Sequence, residues 1–422
     1  VLDRLTATID RNGNRTQFEY NALDELIAVI DAANNRTTYG RDLVGNLISQ
    51  TDALDRTTTY TYDGLNRLLT AVGFLDTVTE RDGSVTDYDY DAVGNLIQTT
   101  FANGVVETVD YDNLDRIEEI VTTNSNGDVL ASYEYTYDNL GNILTETDNT
   151  GRVTSYDYNE INQVTEVVVT DANLGDETTS YEYDDAGNFI SKTDSNGETI
   201  YTYDDNDRLI REESNGEVIT YNYDDAGNLI DKRINGIIVE VYDWNIQGEL
   251  DSAEITENGN TTNIEYEYDA NGIRVSQTID GVETNFLIDN NQQEFAQVIE
   301  EYDSNSINVI YTHGLDLISQ VRGNDKGYYH TDSLGSTKLL TDNLGNVLNT
   351  YIYDAYGQII NQTEILENSY KFTGEQFDSE LENYYLRARY YNPATGRFVS
   401  RDSFGGFLER PLSLNDYLYA EG

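Results

Sequence analysis

The chain has 422 residues, of which 78 are acidic and 25 are basic, and its formal net charge is -53. This excess of carboxylates excludes nucleic acid as a main partner, because binding a phosphate backbone needs Lys and Arg. Aromatic residues make up 11% of the chain, which argues against a disordered polypeptide.

Other composition features bound the class of protein. Cys is absent, which excludes disulfides and thiolate metal sites. Met is absent as well, and Val1 opens partway through a repeat, so we expect the sequence to be part of a longer protein. No apolar run is long enough to cross a bilayer, so no membrane span is predicted.

A Tyr-Asp anchor recurs from Tyr20 to Tyr268 at intervals of 19 to 28 residues. Its most regular stretch, residues 181–236, repeats about every 20 residues. A fixed period of this size indicates a repeat architecture. The longer intervals are interpreted as the same unit with a longer loop, since loops absorb insertions at small cost.

Each repeat carries two turn signals. One is Asp-Asp-Ala-Gly-Asn, as at residues 184–188, and the other is Asn-Gly, as at Asn215-Gly216. Between them, segments such as residues 218–223 alternate with the two-residue period of β-strands. Each unit is therefore predicted to be one β-hairpin. The period alone fits two arrangements, a continuous spiral sheet or a propeller with two units per blade.

The pattern changes in the last third of the chain. The anchor dissolves after Asp280, and residues 286–329 are interpreted as divergent repeats and a transition. Helices are nearly absent from the prediction, and the best candidate for a short helical turn is Glu364 to Tyr370.

The repeats resemble the YD or Rhs repeats of bacterial polymorphic toxins, insecticidal toxin complexes and teneurins. The tail is similar to the Rhs-repeat-associated core, through the run from Tyr384 to Pro393 and through Gly396-Arg397-Phe398. The resemblance implies an all-β fold, a long spiral antiparallel sheet of hairpins that forms a hollow shell closed by a core plug. It implies about 12 repeats in a shell at 1–285, a transition at 286–329, and a core at 330–422 that is truncated at its end.

For function, the resemblance implies an encapsulating shell of a secreted Rhs-type toxin. The partner is a C-terminal toxin cargo in cis, which self-cleavage at the core releases. A secretion-system or toxin-complex subunit is a further expected partner, and the location is secreted or at the cell surface of a bacterium. The alternative is an extracellular adhesion protein without cargo that binds a cell-surface glycan. A cargo cavity predicts an inner face whose polarity differs from the acidic exterior, and an adhesin predicts exposed aromatic patches.

The resemblance also implies a candidate catalytic group of Asp402, Asp416 and Arg401. In the family, an Arg and a pair of aspartates near the end of the core are linked to aspartyl self-cleavage. Two carboxylates held close together ionise unequally, so that one activates water and the other donates a proton. Any enzymatic activity is thus limited to a single-turnover autoprotease.

This site departs from the family pattern in two ways. Ser403 stands where the family has Pro, and the chain reaches Gly422 before the second Asp-Pro-x-Gly-Leu element, where the family is cut. The scissile bond is therefore expected beyond Gly422. The alternative interpretation is structural, with Asp402 paired to Arg401 or Arg397, or capping a turn.

Three other groups have a functional and a structural interpretation. Arg387, Arg389, Arg397 and Arg401 form a basic patch, either an anion site or, as we favour, partners of carboxylates where the core packs in the shell. His313 and His330, the only histidines, lie in no recognisable catalytic motif. No cofactor is predicted: the Asp-rich turns have oxygen ligands that suit Ca²⁺, but Asp is also favoured there by its own backbone hydrogen bonds.

Overall fold

A computed structural model describes residues 6–9, 15–23, 25–31, 36–42, 45–51, 57–62, 75–289, 296–407 and 410–419. The predicted shell at 1–285, the transition at 286–329 and the core at 330–422 each include positions outside these residues. Within the described residues the regular structure is almost entirely β, with two short 3-10 helices at Phe372–Gly374 and Pro411–Leu414.

Among the described residues, 33 strands form one sheet. They are β1 (Ala7–Ile9), β2 (Arg15–Tyr20), β3 (Leu26–Ile30), β4 (Arg36–Arg41), β5 (Leu47–Thr51), β6 (Thr57–Tyr62), β7 (Leu75–Thr79), β8 (Val85–Tyr90), β9 (Leu96–Thr100), β10 (Val106–Tyr111), β11 (Ile117–Thr123), β12 (Val129–Tyr137), β13 (Ile143–Asp148), β14 (Val153–Tyr158), β15 (Val164–Thr170), β16 (Glu177–Tyr183), β17 (Phe189–Asp194), β18 (Gly197–Tyr203), β19 (Leu209–Ser214), β20 (Glu217–Tyr223), β21 (Leu229–Ile234), β22 (Ile237–Trp244), β23 (Leu250–Glu257), β24 (Asn260–Tyr268), β25 (Arg274–Ile279), β26 (Val282–Asp289), β27 (Gln297–Tyr302), β28 (Ile307–His313), β29 (Leu317–Arg322), β30 (Asp325–Thr331), β31 (Thr337–Thr341), β32 (Val347–Tyr353) and β33 (Ile359–Thr363).

Each of these strands pairs antiparallel with the next strand along the chain, as in β10 with β11 and β11 with β12. The same order holds across the most regular repeats, from β18 through β21. A single continuous sheet excludes the propeller, in which each blade is a separate sheet. The predicted array of hairpins is confirmed.

At one rim of the sheet, here called the turn rim, strands are joined by five-residue turns such as 138–142 and 159–163, each of which begins with an acidic or amide side chain. In the turn that begins at Asp138, the backbone N–H groups of Leu140 and Asn142 donate to Asp138 Oδ1 at 2.7 and 2.9 Å. Desolvation opposes ionisation, but bonds from Asn142 and the backbone hold the pKa of Asp138 below its usual value. Gly141 has a φ of 98°, and Asp115 takes the same place in another turn with a φ of 60°.

The opposite rim, here called the tip rim, carries the Asn-Gly tips. Asn215 and Gly216 have φ values of 52° and 85°, and Asn235 and Gly236 have 51° and 84°. Two successive positive φ angles define the type I′ turn, whose twist matches that of the flanking strands. The tip conformation predicted from the sequence is confirmed at these positions.

The tyrosine of the repeat bridges neighbouring hairpins where their strands separate toward the turn rim. The ladder between β13 and β14 covers Thr145 to Thr147 only. Beyond it, Tyr158 Oη donates to the carbonyl oxygen of Ile143 at 2.7 Å. Equivalent bonds join Tyr90 to Leu75, Tyr111 to Leu96, Tyr137 to Ile117, Tyr183 to Val164 and Tyr223 to Leu209. The hydroxyl therefore satisfies a carbonyl that the strand ladder leaves unpaired.

Tyr158→Phe is expected to lower the free energy of unfolding by about 1 kcal/mol, because it removes this bond and keeps the ring. Tyr203→Phe is the matched control, since Tyr203 Oη is buried and accepts or donates no hydrogen bond within the described part of the chain. Removal of the Tyr203 hydroxyl is expected to leave the free energy of unfolding unchanged or to raise it. Urea unfolding measures both variants, and equal losses would contradict the bridging role.

The two faces of the sheet differ in polarity. In β24, Ile264 and Tyr266 are 1% and 3% exposed and face inward, while Glu265 and Glu267 between them are exposed. This alternation is the two-residue period of a strand with one buried face. It places tyrosine and aliphatic side chains on the inner face and leaves acidic residues outside.

Late strands pack on early ones, so the sheet curls back on itself. Ser319 Oγ donates to Glu80 Oε2 at 2.5 Å, and Lys326 Nζ lies 3.0 Å from Glu80 Oε1. Asn103 Nδ2 donates to Thr341 Oγ1 at 2.9 Å. These contacts join β29–β31 to the tip rim of β7–β10 and produce the curved, nearly all-β shell that the sequence predicted.

A smaller sheet follows the large one. Its strands are β34 (Gln376–Asp378), β35 (Asn383–Tyr385), β36 (Tyr390–Asn392) and β37 (Arg397–Phe398), paired antiparallel in that order. Its residues Tyr385 and Tyr390 join a hydrophobic cluster with Tyr201, Tyr221 and Tyr242 of the shell. The large sheet passes position 330 and ends at Thr363, and the predicted core boundary at 330 stays a prediction.

The helical turn predicted for Glu364 to Tyr370 is wrong. Asn349 Oδ1 accepts the backbone N–H groups of Ile365 and Leu366, and Asn349 Nδ2 donates to the Leu366 carbonyl at 2.6 Å. A side chain from the neighbouring strand thus satisfies backbone groups that a helix would otherwise pair.

Candidate functional site

The C-terminal segment reaches its position through the small sheet. The turn between β36 and β37 ends at Gly396, whose φ is 66°. A Cβ atom there would lie 3.0 Å from Phe189 and 3.2 Å from Tyr356. Only Gly allows this close approach to the inner wall of the shell. This packing fixes the position of the chain just before the segment that contains Asp402 and Asp416.

Asp402 and Asp416 are neighbours through the backbone. The N–H of Asp402 donates to the carbonyl oxygen of Asp416 at 2.9 Å. Asp402 Oδ1 also accepts the N–H of Phe404 at 2.8 Å, which fixes a turn. The predicted pair of aspartates is thus brought together by two segments that lie 14 residues apart in the printed sequence.

Each of the two carboxylates is paired with an arginine. Arg401 Nε lies 2.6 Å from Asp416 Oδ2, and Arg389 Nη2 lies 2.7 Å from Asp402 Oδ2. Arg389 Nη1 also donates to the Asp416 carbonyl at 3.1 Å, and its guanidinium stacks 3.6 Å from the Phe398 ring centre. Burial lowers the pKa of Arg389, and Asp402 and Asp416 oppose this effect.

The structure thus places Asp402, Asp416 and Arg401 in one cluster, while their catalytic roles stay a prediction. The partner of Asp402 is Arg389, and neither Arg401 nor Arg397 pairs with it in the described ion pairs. Sequence reasoning placed Arg389 in the basic patch without assigning it to this site. Its position in Arg-Ala-Arg-Tyr-Tyr gives no indication of which carboxylate it meets.

A buried arginine of the shell, Arg274, makes several contacts with the core. Arg274 Nη1 lies 2.5 Å from Asp378 Oδ2 and donates to Tyr390 Oη at 3.2 Å. Its backbone N–H donates to Tyr385 Oη at 2.8 Å. The Arg274 and Asp378 side chains are only 2% and 6% exposed. Burial opposes the charge, but Asp378 and the tyrosine hydroxyls raise the pKa of Arg274 well above its usual value.

The remaining arginines of the patch also connect the core. Arg387 Nη1 pairs with Glu375 Oε1 at 2.7 Å, and burial raises the pKa of Glu375 against the opposing effect of Arg387. Arg397 Nη1 donates to Asn188 Oδ1 at 2.5 Å and Arg397 Nη2 to the Asp207 carbonyl at 2.6 Å. Arg397 thus joins the core to the shell through neutral oxygen atoms, while the carboxylates paired with Arg387, Arg389 and Arg401 belong to the core itself.

The histidines lie apart from this cluster. Burial lowers the pKa of His313 to about 4, and its hydrogen bond to the Val298 carbonyl opposes that effect. His330 Nε2 lies 2.9 Å from Thr341 Oγ1, and its ring packs edge-on against Phe101. Among the described residues, no group of three or more His, Asp or Glu side chains is arranged to hold a metal ion.

Sequence comparison identifies known relatives. The family described as "Teneurin YD-shell" matches residues 107–421, and the family described as "RHS Repeat" matches 1–36, 41–75 and 71–106.

In the described part of the chain no helix is long and apolar enough to span a bilayer.

Curated relatives include two bacterial proteins. The tRNA3(Ser)-specific nuclease WapA of Bacillus spizizenii is 34% identical over 142 residues, which are 32% of this chain and 6% of that protein. The toxin protein Tse5 of Pseudomonas aeruginosa is 32% identical over 78 residues, which are 18% of this chain and 6% of that protein. The chain thus spans a small part of the length of these relatives.

One solved structure that the comparison matches to this chain is the crystal structure of TcdB2-TccC3. It is 18% identical, with a TM-score of 0.45, and the alignment covers 99% of this chain and 28% of that chain.

Proposed function

Because the chain belongs to the teneurin YD-shell family, we propose that it is the encapsulating shell of a secreted Rhs-type toxin. The shell holds a C-terminal effector in cis, and one self-cleavage at the core frees it. The observation that carries this proposal is the Asp402–Asp416 contact on a core that is docked against the inner wall of the shell.

The proposed chemistry is hydrolysis of one peptide bond. One of the carboxylates of Asp402 and Asp416 removes a proton from water, which attacks the scissile carbonyl, and the other protonates the leaving nitrogen as the C–N bond breaks. Arg401, whose side chain is 58% exposed, is the group of this cluster most open to an incoming segment. Arg389, whose side chain is 19% exposed, pairs with Asp402.

Buried side chains have a different charge balance from the whole chain. Among the described residues, the buried basic side chains are Arg152, Arg274, Lys326, Lys371 and Arg397. The buried acidic ones are Glu80, Asp171, Asp289, Glu300, Glu301, Asp332 and Asp378. Five against seven is close to balance, although the whole chain has 25 against 78. The excess of negative charge therefore lies on solvent-accessible side chains, where it keeps copies of the protein apart.

The relatives support a toxin in this role. WapA is named a nuclease and Tse5 a toxin, and this chain matches only a small part of each. We accordingly assign the shell to 1–285, the transition to 286–329 and the core to 330–422. The effector follows the core, a toxin-complex or secretion-system subunit is a further partner, and the protein acts outside a bacterial cell or at its surface.

An adhesion protein would present aromatic side chains to its partner. The exposed large apolar side chains of the described residues are aliphatic, apart from Phe404 and Phe407 at 51% exposure each. Both lie in the core beside Asp402. The described surface therefore gives no specific support to glycan binding or adhesion as a second function.

The proposal is tested by intact mass measurement of the protein at its natural length. We expect two chains under denaturing conditions, joined in one particle under native conditions. A single chain after prolonged incubation would contradict the self-cleavage.

A further inference from the structure

A turn of the shell and the segment that carries Asp416 share a buried hydrogen-bond network. Asn188, at the end of the turn that begins at Asp184, is 0% exposed. Its Oδ1 accepts from Arg397 Nη1 at 2.5 Å and from Asn415 Nδ2 at 2.7 Å. Its Nδ2 donates to Asp184 Oδ2 at 2.9 Å and to Asp207 Oδ1 at 3.0 Å. The amide therefore uses both its donors and both its acceptor positions.

Oxygen atoms of the shell stabilise the buried positive charge of Arg397. It is 4% exposed, and in the described part of the chain no carboxylate lies at ion-pair distance from it. Its partners are the Asn188 amide, the Asp207 carbonyl, the Asn415 amide oxygen at 3.4 Å and the ring of Tyr203, 4.8 Å from the guanidinium. A buried cation without these partners is strongly unfavourable, so Arg397 is held where the shell turns supply them.

The residues on both sides of Asp416 are bonded to the shell. Asn415 Nδ2 donates to the Ala186 carbonyl at 3.0 Å, and Tyr417 Oη donates to the Gly227 carbonyl at 2.8 Å. Asp416 itself bonds within the core, to Arg401 and to the backbone of Asp402. The shell therefore fixes the segment, and the segment places the carboxylate.

We propose that Asn188 is a positioning residue for the Asp402–Asp416 site. The site reaches its geometry only after the strands around Asn188 have formed and the core has docked on their turns. Cleavage is then coupled to assembly of the shell, so that the effector stays attached until its container exists. This inference rests on the proposed self-cleavage.

The test compares Asn188→Ala with Asn142→Ala in the protein at its natural length. Asn142 is the equivalent residue of another turn, with bonds to Asp138 Oδ2 at 2.8 Å and Asn162 Oδ1 at 3.0 Å. That turn carries Leu140 at 75% exposure, so its outer side is free of the core. Both variants lose the turn bonds, and only Asn188→Ala also loses the bonds to Arg397 and Asn415.

Two readouts are followed, the rate of cleavage and the hydrogen exchange of backbone amides in 412–419. Asn188→Ala is expected to slow cleavage about tenfold or more and to speed exchange in this segment, because two buried donors lose their acceptor. Asn142→Ala is expected to leave both at the wild-type value. If Asn188→Ala does not fold, Asn415→Ala breaks the same contact from the core side, and the same two changes are expected.

The outcomes separate this inference from the proposed function. Faster exchange with an unchanged cleavage rate overturns the positioning role and leaves self-cleavage standing. Equal exchange in the Asn188 and Asn142 variants overturns the docking contact, whether or not the wild type cleaves. A double variant of Asn188→Ala and Asn415→Ala that cleaves no more slowly than Asn415→Ala supports one shared contact.

Discussion

Asp402→Asn is expected to leave the natural-length protein as one chain under conditions in which the wild type separates into two. The amide keeps the size of the side chain and an oxygen that accepts from Phe404 N–H, so the turn is preserved. It loses the negative charge that meets Arg389 at 2.7 Å and the capacity to take part in proton transfer. Intact mass after denaturation gives the cleaved fraction directly.

The control for this variant is Asp225→Asn. Asp225 is an exposed carboxylate in the turn that also contains Gly227, whose carbonyl contacts Tyr417 of the core. Its replacement is expected to leave cleavage complete, because it removes one surface charge near the core and no contact of the Asp402 cluster. Cleavage of the Asp402 variant at the wild-type rate would assign Asp402 a structural role.

Arg274→Ala is expected to lower the free energy of unfolding by about 3–5 kcal/mol, because it leaves the buried Asp378 carboxylate without its cation. Tyr266 Oη also donates to Asp378 Oδ2 at 2.9 Å, but one neutral donor does not replace a guanidinium. The Arg274 side chain further packs 4.3 Å from the Tyr385 ring centre, and this contact is lost too. The small sheet is expected to detach before the large sheet unfolds.

Arg233→Ala provides the matched comparison. Arg233 Nε lies 2.7 Å from Asp231 Oδ1, but the Arg233 side chain is 38% exposed. Water compensates for the loss of such a pair, so the expected loss of stability is much smaller than for Arg274→Ala. Denaturant unfolding, followed by hydrogen exchange in 376–398, distinguishes local release from global loss. Equal costs for the two variants would contradict the role of Arg274 as a buried link between shell and core.

The local structure of the repeats is predictable from the sequence because its causes are local. Asp138 and Asn142 form their turn through bonds within five residues, and Asn215-Gly216 adopts its positive φ angles without help from distant parts. The alternation in β24 likewise follows from its own residues. The array of hairpins and the all-β class required no other information.

Features that depend on distant residues were missed or wrong. The period of the sequence identifies the Tyr-Asp anchor, but the bond from Tyr158 Oη to the Ile143 carbonyl requires knowing where the strand ladder stops. The helical turn at Glu364 was wrong because Asn349 captures the backbone of Ile365 and Leu366. Neither effect is encoded within a single short segment.

The candidate site was predicted in its members and missed in its supports. The resemblance to the Rhs core identified Asp402, Asp416 and Arg401, which lie together in the structure. Arg389 and Asn188 were not assigned to it, because their contacts arise when the core folds and docks on the shell. No spacing in the sequence relates residue 188 to a segment more than 200 residues later.

Protease protection of the natural-length protein tests the proposed encapsulation most directly. We predict that the chain following the core stays whole in native wild-type protein, even after its cleavage from the shell, and is degraded rapidly once Arg274→Ala releases the core. Equally rapid degradation in the native wild type and in the denatured protein would contradict encapsulation.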